Sequence, residues 1–199
     1  MRVKIAIFII SCSYVSASDD FAPQICVAGR SNCGKSTLLN SLMGARLCKT
    51  SSTPGRTRLI NIFKVLTDSR DFYFVDLPGY GYSKATRELS DEWNVRTEKY
   101  FTDGKSIAQV LCLMDIRRDP SDLDKVLINY LRDLQLPFTV VLTKSDKLSR
   151  AQIGNATIKI AAALGLARDN LIVTSGSSGA GRDALLNRID DILSVAEND

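Results

Sequence analysis

The residues best suited to chemistry fall in short stretches whose types and order point to a nucleoside triphosphate. Gly29-Arg30-Ser31-Asn32-Cys33-Gly34-Lys35-Ser36 fits G-x-x-x-x-G-K-[ST]. The apolar run Ile25-Cys-Val-Ala precedes it, and Thr37-Leu-Leu-Asn-Ser-Leu-Met, patterned as a helix, follows it. A strand, a glycine-rich loop and a helix start let backbone N–H groups converge on a phosphate, and the helix dipole adds attraction. Lys35 supplies a point charge to the β- and γ-phosphates, and the Ser36 hydroxyl can ligate Mg2+. Gly29 through Thr37 are therefore taken as phosphate-binding residues.

Phe72-Tyr-Phe-Val-Asp76-Leu77-Pro78-Gly79 reads as an apolar strand that ends in an acid and a loop. Asp76 would stand beside the phosphate loop and hold Mg2+ through a water. The Gly79 N–H can approach the γ-phosphate because no Cβ blocks it. The loop Thr53-Pro-Gly55-Arg56-Thr57-Arg58, leading to Leu59, carries two threonines whose hydroxyls could close onto Mg2+ and the γ-phosphate. Val140-Val-Leu-Thr143-Lys144-Ser145-Asp146 places T-K-x-D at the end of another strand. The Asp146 carboxylate can accept from guanine N1–H and the 2-amino group. Adenine offers neither donor there, and an unpaired buried charge is costly, so guanine is favoured. The Lys144 stem would cover the face of the base. Thr174, Ser175 and Gly176 end the last strand candidate in a small-residue loop whose N–H groups could meet guanine O6.

Composition excludes much else. The 199 residues contain no histidine, which removes Ser-His-Asp and Cys-His nucleophiles, H-E-x-x-H metal sites and His-ligated haem. None of the five cysteines forms a C-x-x-C, and an odd, scattered set fits reduced thiols in the cytoplasm. The net charge of +4 is a mild bias, without a basic tail. No apolar run approaches a membrane span, so no membrane partner is expected. Ile5 to Ile10 is shorter than a signal-peptide core and is expected to be a buried β-strand.

Positioning these groups requires alternating elements. Strands are expected at Val3–Ile10, Gln24–Ala28, Leu59–Leu66, Phe72–Val75, Ile107–Met114, Phe138–Leu142 and Leu171–Thr174. Helices are expected at Lys35–Met43, Asp91–Phe101, Asp122–Leu134, Arg150–Leu164 and Asp183–Val195. Ser149 with Gln152 reads as a capping box, and Gly165 as the stop of the same helix. Asp68-Ser69-Arg70-Asp71 is a hairpin turn, and the other connections alternate β and α. The pattern is α/β: one domain over residues 1–199, a mostly parallel sheet with one antiparallel strand, and helices on both faces. Ligands in such a sheet sit beyond the carboxyl ends of the strands.

With these residues assembled, the chain resembles the EngB (YihA/YsxC) family of ribosome-assembly GTPases, in the TrmE-Era-EngA-EngB-Septin-like superfamily. The resemblance rests on Gly29-Arg-Ser-Asn-x-Gly-Lys-Ser, Ser51-Ser-Thr-Pro-Gly-Arg-Thr, Leu59-Ile-Asn-Ile-Phe, Val75-Asp-Leu-Pro-Gly-Tyr-Gly-Tyr, Asp115-Ile-Arg-Arg-Asp-Pro-Ser-Asp-Leu-Asp and the Thr143 motif. It implies a P-loop, Ras-like G domain that binds GTP and GDP, with Mg2+ at Ser36 and Thr57 and guanine at Asp146. It also implies a partner in the large ribosomal subunit or its assembly intermediate, and a link to division septation. Tyr80, which follows Gly79, has no amide to orient water. The resemblance suggests instead a K+ ion bound with help from Asn32, so Lys35, Asn32 and Thr57 are the catalytic candidates and intrinsic turnover should be slow. Two departures stand out. Gly176 replaces a more usual Ser or Ala, and Cys33 replaces Val or Ala, which would leave the loop oxidisable. Tyr80, Tyr82 and Trp93 could stack on RNA bases, with packing under a helix the simpler role for Trp93. Arg117 and Arg118 could touch phosphate or sit in a solvated loop. The rival reading is a ribosome-binding or RNA-binding module that keeps nucleotide mainly for structure. A monomer is expected.

Overall fold

The computed structural model describes residues 1–13, 23–49, 59–80, 99–102 and 106–196. In chain order these form β1 (Val3–Cys12), β2 (Gln24–Gly29), α1 (Lys35–Met43), β3 (Ile60–Thr67), β4 (Phe72–Asp76), β5 (Ile107–Asp115), α2 (Asp122–Asp133), β6 (Phe138–Thr143), α3 (Arg150–Leu164), β7 (Leu171–Val173) and α4 (Arg182–Ala196). The seven strands make one sheet in the order β1-β3-β4-β2-β5-β6-β7. β3 runs antiparallel to both β1 and β4 across the expected hairpin, and the remaining pairs are parallel.

Helices cover both faces. Leu38, Leu39 and Leu42 of α1 and Leu185, Leu186, Ile189 and Leu193 of α4 pack on one side. Ile128 and Leu131 of α2 and Ile160 and Leu164 of α3 pack on the other, together with Tyr100 and Phe101 of the helical residues 99–102. Each such buried aliphatic side chain contributes about 1.5–3 kcal/mol. β2 is buried along its whole length, which is why it reads as a continuous apolar run and not as an alternation. Local chemistry closes the helices. Ser149 and Gln152 form the expected capping box on α3, and Gly165 ends it in the left-handed region. Ser121 and Asp124 form a second capping box on α2. Arg182 donates from Nε to Ser41 O at 2.7 Å and from Nη2 to Leu42 O at 3.2 Å, capping the carboxyl end of α1.

One expectation fails. β1 is not buried. Among the described residues it lies at the edge of the sheet, paired with β3 alone, and Ile5, Ile7, Phe8, Ile9 and Ile10 are 41–54% exposed. An unbroken apolar run looks the same whether neighbours cover it or not, and the strand order decides. The expected helix Asp91–Phe101 lies mostly outside the described residues, as do most of the loops Cys48–Arg58 and Leu77–Leu89. No helix among the described residues is long and apolar enough to cross a membrane.

Candidate functional site

Register brings the site residues to one edge. Gly29 pairs with Leu113 and Asp115 with Thr143, so the ends of β2, β5 and β6 open side by side. β2 sits between β4 and β5, where the strand order changes direction, and a crevice forms there. The phosphate loop leaves β2, and α1 begins after Gly34, whose φ is 108°. Among the described residues no side chain caps α1 and no acid stands in its first turn, so none of them neutralises its N–H groups. Lys35 Nζ rests on Gly29 O at 3.3 Å.

The T-K-x-D stretch is tied into this loop. The Thr143 hydroxyl donates to the Cys33 carbonyl, and Lys144 Nζ donates to Asn32 O at 2.6 Å. Lys144 also meets Asp115 Oδ2 at 3.0 Å. Arg117 holds the same carboxylate with Nε at 2.9 Å and Nη2 at 2.7 Å. Burial opposes ionisation of Asp115, but the hydrogen bonds from Arg117 and Lys144 outweigh it and hold the carboxyl well below the ordinary range. Ser145 N–H donates to Thr174 O at 3.1 Å, and Ser175 Oγ donates to Asp146 Oδ1 at 2.6 Å. Led by the Ser175 hydrogen bond, these contacts lower the Asp146 pKa to about 2, so the carboxylate stands ready as an acceptor. Thr143, Lys144, Ser145, Asp146, Thr174 and Ser175 thus form one continuous wall. Gly176 has a physical reason. A Cβ there would lie 2.8 Å from Leu38 N and from Thr37 C, because the loop runs against the α1 backbone.

Asp76 ends β4, is 4% exposed, and its Oδ1 has no hydrogen-bond partner among the described residues. Burial raises its pKa, while the Lys35 charge and a hydrogen bond from Asn61 oppose the shift. A buried carboxylate oxygen without a partner is the kind of group that a cation satisfies. Leu77 N–H donates to Val27 O at 3.0 Å, which lays the acid-bearing loop along β2. Beyond Pro78, a Cβ on Gly79 would lie 3.0 Å from Lys35 Nζ. Ser31 N–H donates to Tyr80 O at 2.9 Å.

Tyr80 departs from the stacking role. It is 3% exposed, and its hydroxyl donates to Asp124 Oδ1 at 2.8 Å. Burial leads the causes that push its pKa well above the usual value. It is a packing residue behind the phosphate loop, so RNA bases cannot reach it. Cys33 likewise departs from expectation: it is 5% exposed, and burial raises its thiol pKa against the Lys35 charge, so little reactive thiolate forms. Arg117 is engaged by Asp115 and stays exposed, in the solvated loop expected for it. Leu59 is 39% exposed just before β3. Gly55, Arg56, Thr57 and Arg58 of the site, with Thr53, Tyr82 and Trp93, lie outside the described residues. Asp115 and Asp124 entered the sequence analysis only as ends of the Asp115–Asp124 motif, with no role at the site. Asp115 gave the same signal as Asp76, an acid closing an apolar strand, but one of its two partners, Lys144, is distant in the chain.

Known proteins match this geometry. A family model described as 50S ribosome-binding GTPase matches residues 24–144. The chain is 38% identical over 195 residues to the "Probable GTP-binding protein EngB" of Caldanaerobacter subterraneus subsp. tengcongensis, covering 97% of this chain and 99% of that one. It is 42% identical over 175 residues to the protein of the same name from Citrifermentans bemidjiense, covering 87% and 80%. Among solved structures, the crystal structure of a probable GTP-binding protein engB superposes with a TM-score of 0.69 at 23% identity, covering 86% of this chain and 98% of that one. On the family model and these near full-length relatives, the chain belongs to the EngB family of GTP-binding proteins and is a GTPase.

Proposed function

We propose that this protein is a Mg2+-dependent GTP switch that acts on the large ribosomal subunit or its assembly intermediate. The observation that carries the nucleotide reading is the Lys144–Asn32 hydrogen bond of 2.6 Å, which makes the base-facing wall and the phosphate loop one unit. The matching family, described as 50S ribosome-binding GTPase, supports the ribosomal partner. A part in division septation rests on the family resemblance. The chain works as one domain, a monomer in the cytoplasm.

In this reading GTP lies along Gly29–Thr37, with its guanine donors on Asp146 and O6 beside Thr174–Gly176. Lys35 leaves Gly29 O for the β- and γ-phosphates. Ser36, Thr57 and Asp76 would hold Mg2+, Asp76 through a water, and the bound ion would supply charge neutralisation at the phosphates. Thr57, in the Gly55–Leu59 loop, and the Gly79 N–H are the contacts assigned to the γ-phosphate. Tyr80 is not assigned to the attacking water, because its hydroxyl is engaged by Asp124. Asn32 is exposed, and its side-chain amide is the group assigned to help hold K+ near the phosphates. Turnover without a partner is slow.

Two measurements test the proposal. Hydrolysis should be faster in KCl than in NaCl, with the difference abolished in Asn32→Ala; equal rates would remove the cation. Co-sedimentation with large ribosomal subunits should be stronger with a non-hydrolysable GTP analogue than with GDP. Binding that ignores the nucleotide would favour a ribosome-binding module that keeps nucleotide for structure.

A further inference from the structure

Asp115 is 8% exposed, and its carboxylate is shared by two cations that reach it from different elements. Arg117 forks onto it from the following loop, at 2.9 and 2.7 Å. Lys144 approaches from the end of β6 at 3.0 Å. Lys144 is the only one of the two that also touches the phosphate loop, through Asn32 O. Its backbone is fixed as well. Its φ is 61°, and the next residue, Ser145, donates to Thr174 O. With the backbone set by strand and turn and the ammonium set by Asp115 and Asn32, the stem between them has little rotamer freedom left. A flexible lysine loses that freedom when a ligand arrives, whereas a lysine fixed beforehand loses none.

We propose that Asp115 is a positioning residue for guanine nucleotide: it pins the Lys144 ammonium so that the lysine stem is preset as a platform for the face of the base. Arg117 supports it by holding the carboxylate oriented. The proposal rests on the reading that guanine meets Asp146. Because Asp115 reaches the lysine and not the polar edge of the base, it governs how tightly a purine nucleotide is held and leaves purine identity to Asp146.

The test is the dissociation rate of fluorescent GDP, followed by stopped flow, with Kd values for GDP and IDP and steady-state GTP hydrolysis. Asp115→Asn keeps the shape of the side chain and removes its charge. It should speed GDP release about tenfold, the scale of one charge-assisted hydrogen bond. The ratio of IDP to GDP affinity should stay constant, and KM should rise with little change in kcat. Asp115→Glu, which restores the charge, should recover most of the loss. If Asp115 acts through the lysine, Asp115→Asn combined with Lys144→Ala should release GDP no faster than Lys144→Ala alone. Wild-type release from Asp115→Asn, or additive losses in the double variant, would overturn the proposal; so would a lower Tm with unchanged release. Asp146→Asn separates the two readings: if it leaves the preference for GDP over XDP intact, the base assignment fails whatever Asp115 does.

Discussion

Tyr80 links two parts of the site at once: its hydroxyl donates to Asp124 Oδ1 at 2.8 Å while its carbonyl accepts from Ser31 N–H at 2.9 Å. Asp124 Oδ2 in turn accepts from the Ser121 N–H and hydroxyl, both at 2.7 Å, at the start of α2. The residue that follows the Asp76–Gly79 loop therefore joins the phosphate loop to a helix end on the far side of the sheet crevice. A ligand that moves Tyr80 would break its bond to Asp124 Oδ1 while the Ser121–Asp124 capping box stays intact.

Tyr80→Phe should isolate the packing role. The ring remains buried and only the hydroxyl bond is lost, leaving Asp124 to its Ser121 contacts. The expected cost is about 1–2 kcal/mol, seen as a fall in Tm of roughly 2–8 °C. The kcat for GTP hydrolysis should stay within about threefold of wild type, since the phenol takes no part in water orientation. A loss of hydrolysis beyond about a hundredfold, without a loss of stability, would give Tyr80 a direct catalytic role.

Asp76 makes stability depend on pH with a definite sign. Its folded pKa is raised by burial above the unfolded value near 4. The native state thus binds a proton more readily than the unfolded chain. The nucleotide-free protein should lose stability as pH rises from about 4 through the raised value. Asp76→Asn should flatten that slope in urea midpoints and raise Tm at neutral pH. It should also weaken the Mg2+ dependence of GTP binding at least about tenfold. A variant that keeps both the pH slope and the Mg2+ dependence would contradict the role given to this carboxylate.

Gly176 should resist replacement by any residue with a Cβ. In this structure a Cβ at 176 meets backbone atoms of Thr37 and Leu38 at 2.8 Å, and backbone cannot swing aside as a side-chain tip can. Gly176→Ser should cost about 1–3 kcal/mol by urea denaturation. It should also raise the Kd for GDP, since the displaced loop carries Ser175, which bonds Asp146. A neutral result would mean that the loop shifts without strain.

The sequence by itself determined what depends on near neighbours. Gly34 and Gly165 mark left-handed positions, and Ser149 with Gln152 satisfies N–H groups within one turn. α1 and α3 accordingly run over the expected residues, and the strands differ from expectation by no more than two. The phosphate loop and the T-K-x-D carboxylate were legible for the same reason, since their chemistry lies in adjacent residues. Tertiary structure alone decided the rest. β1 lies exposed because of the sheet order, Tyr80 turns inward because Asp124 waits behind the loop, and Asp115 matters because Lys144 reaches it from another strand. In each case the partner lies far along the chain, and only the folded geometry brings one charge or one covered face to the other.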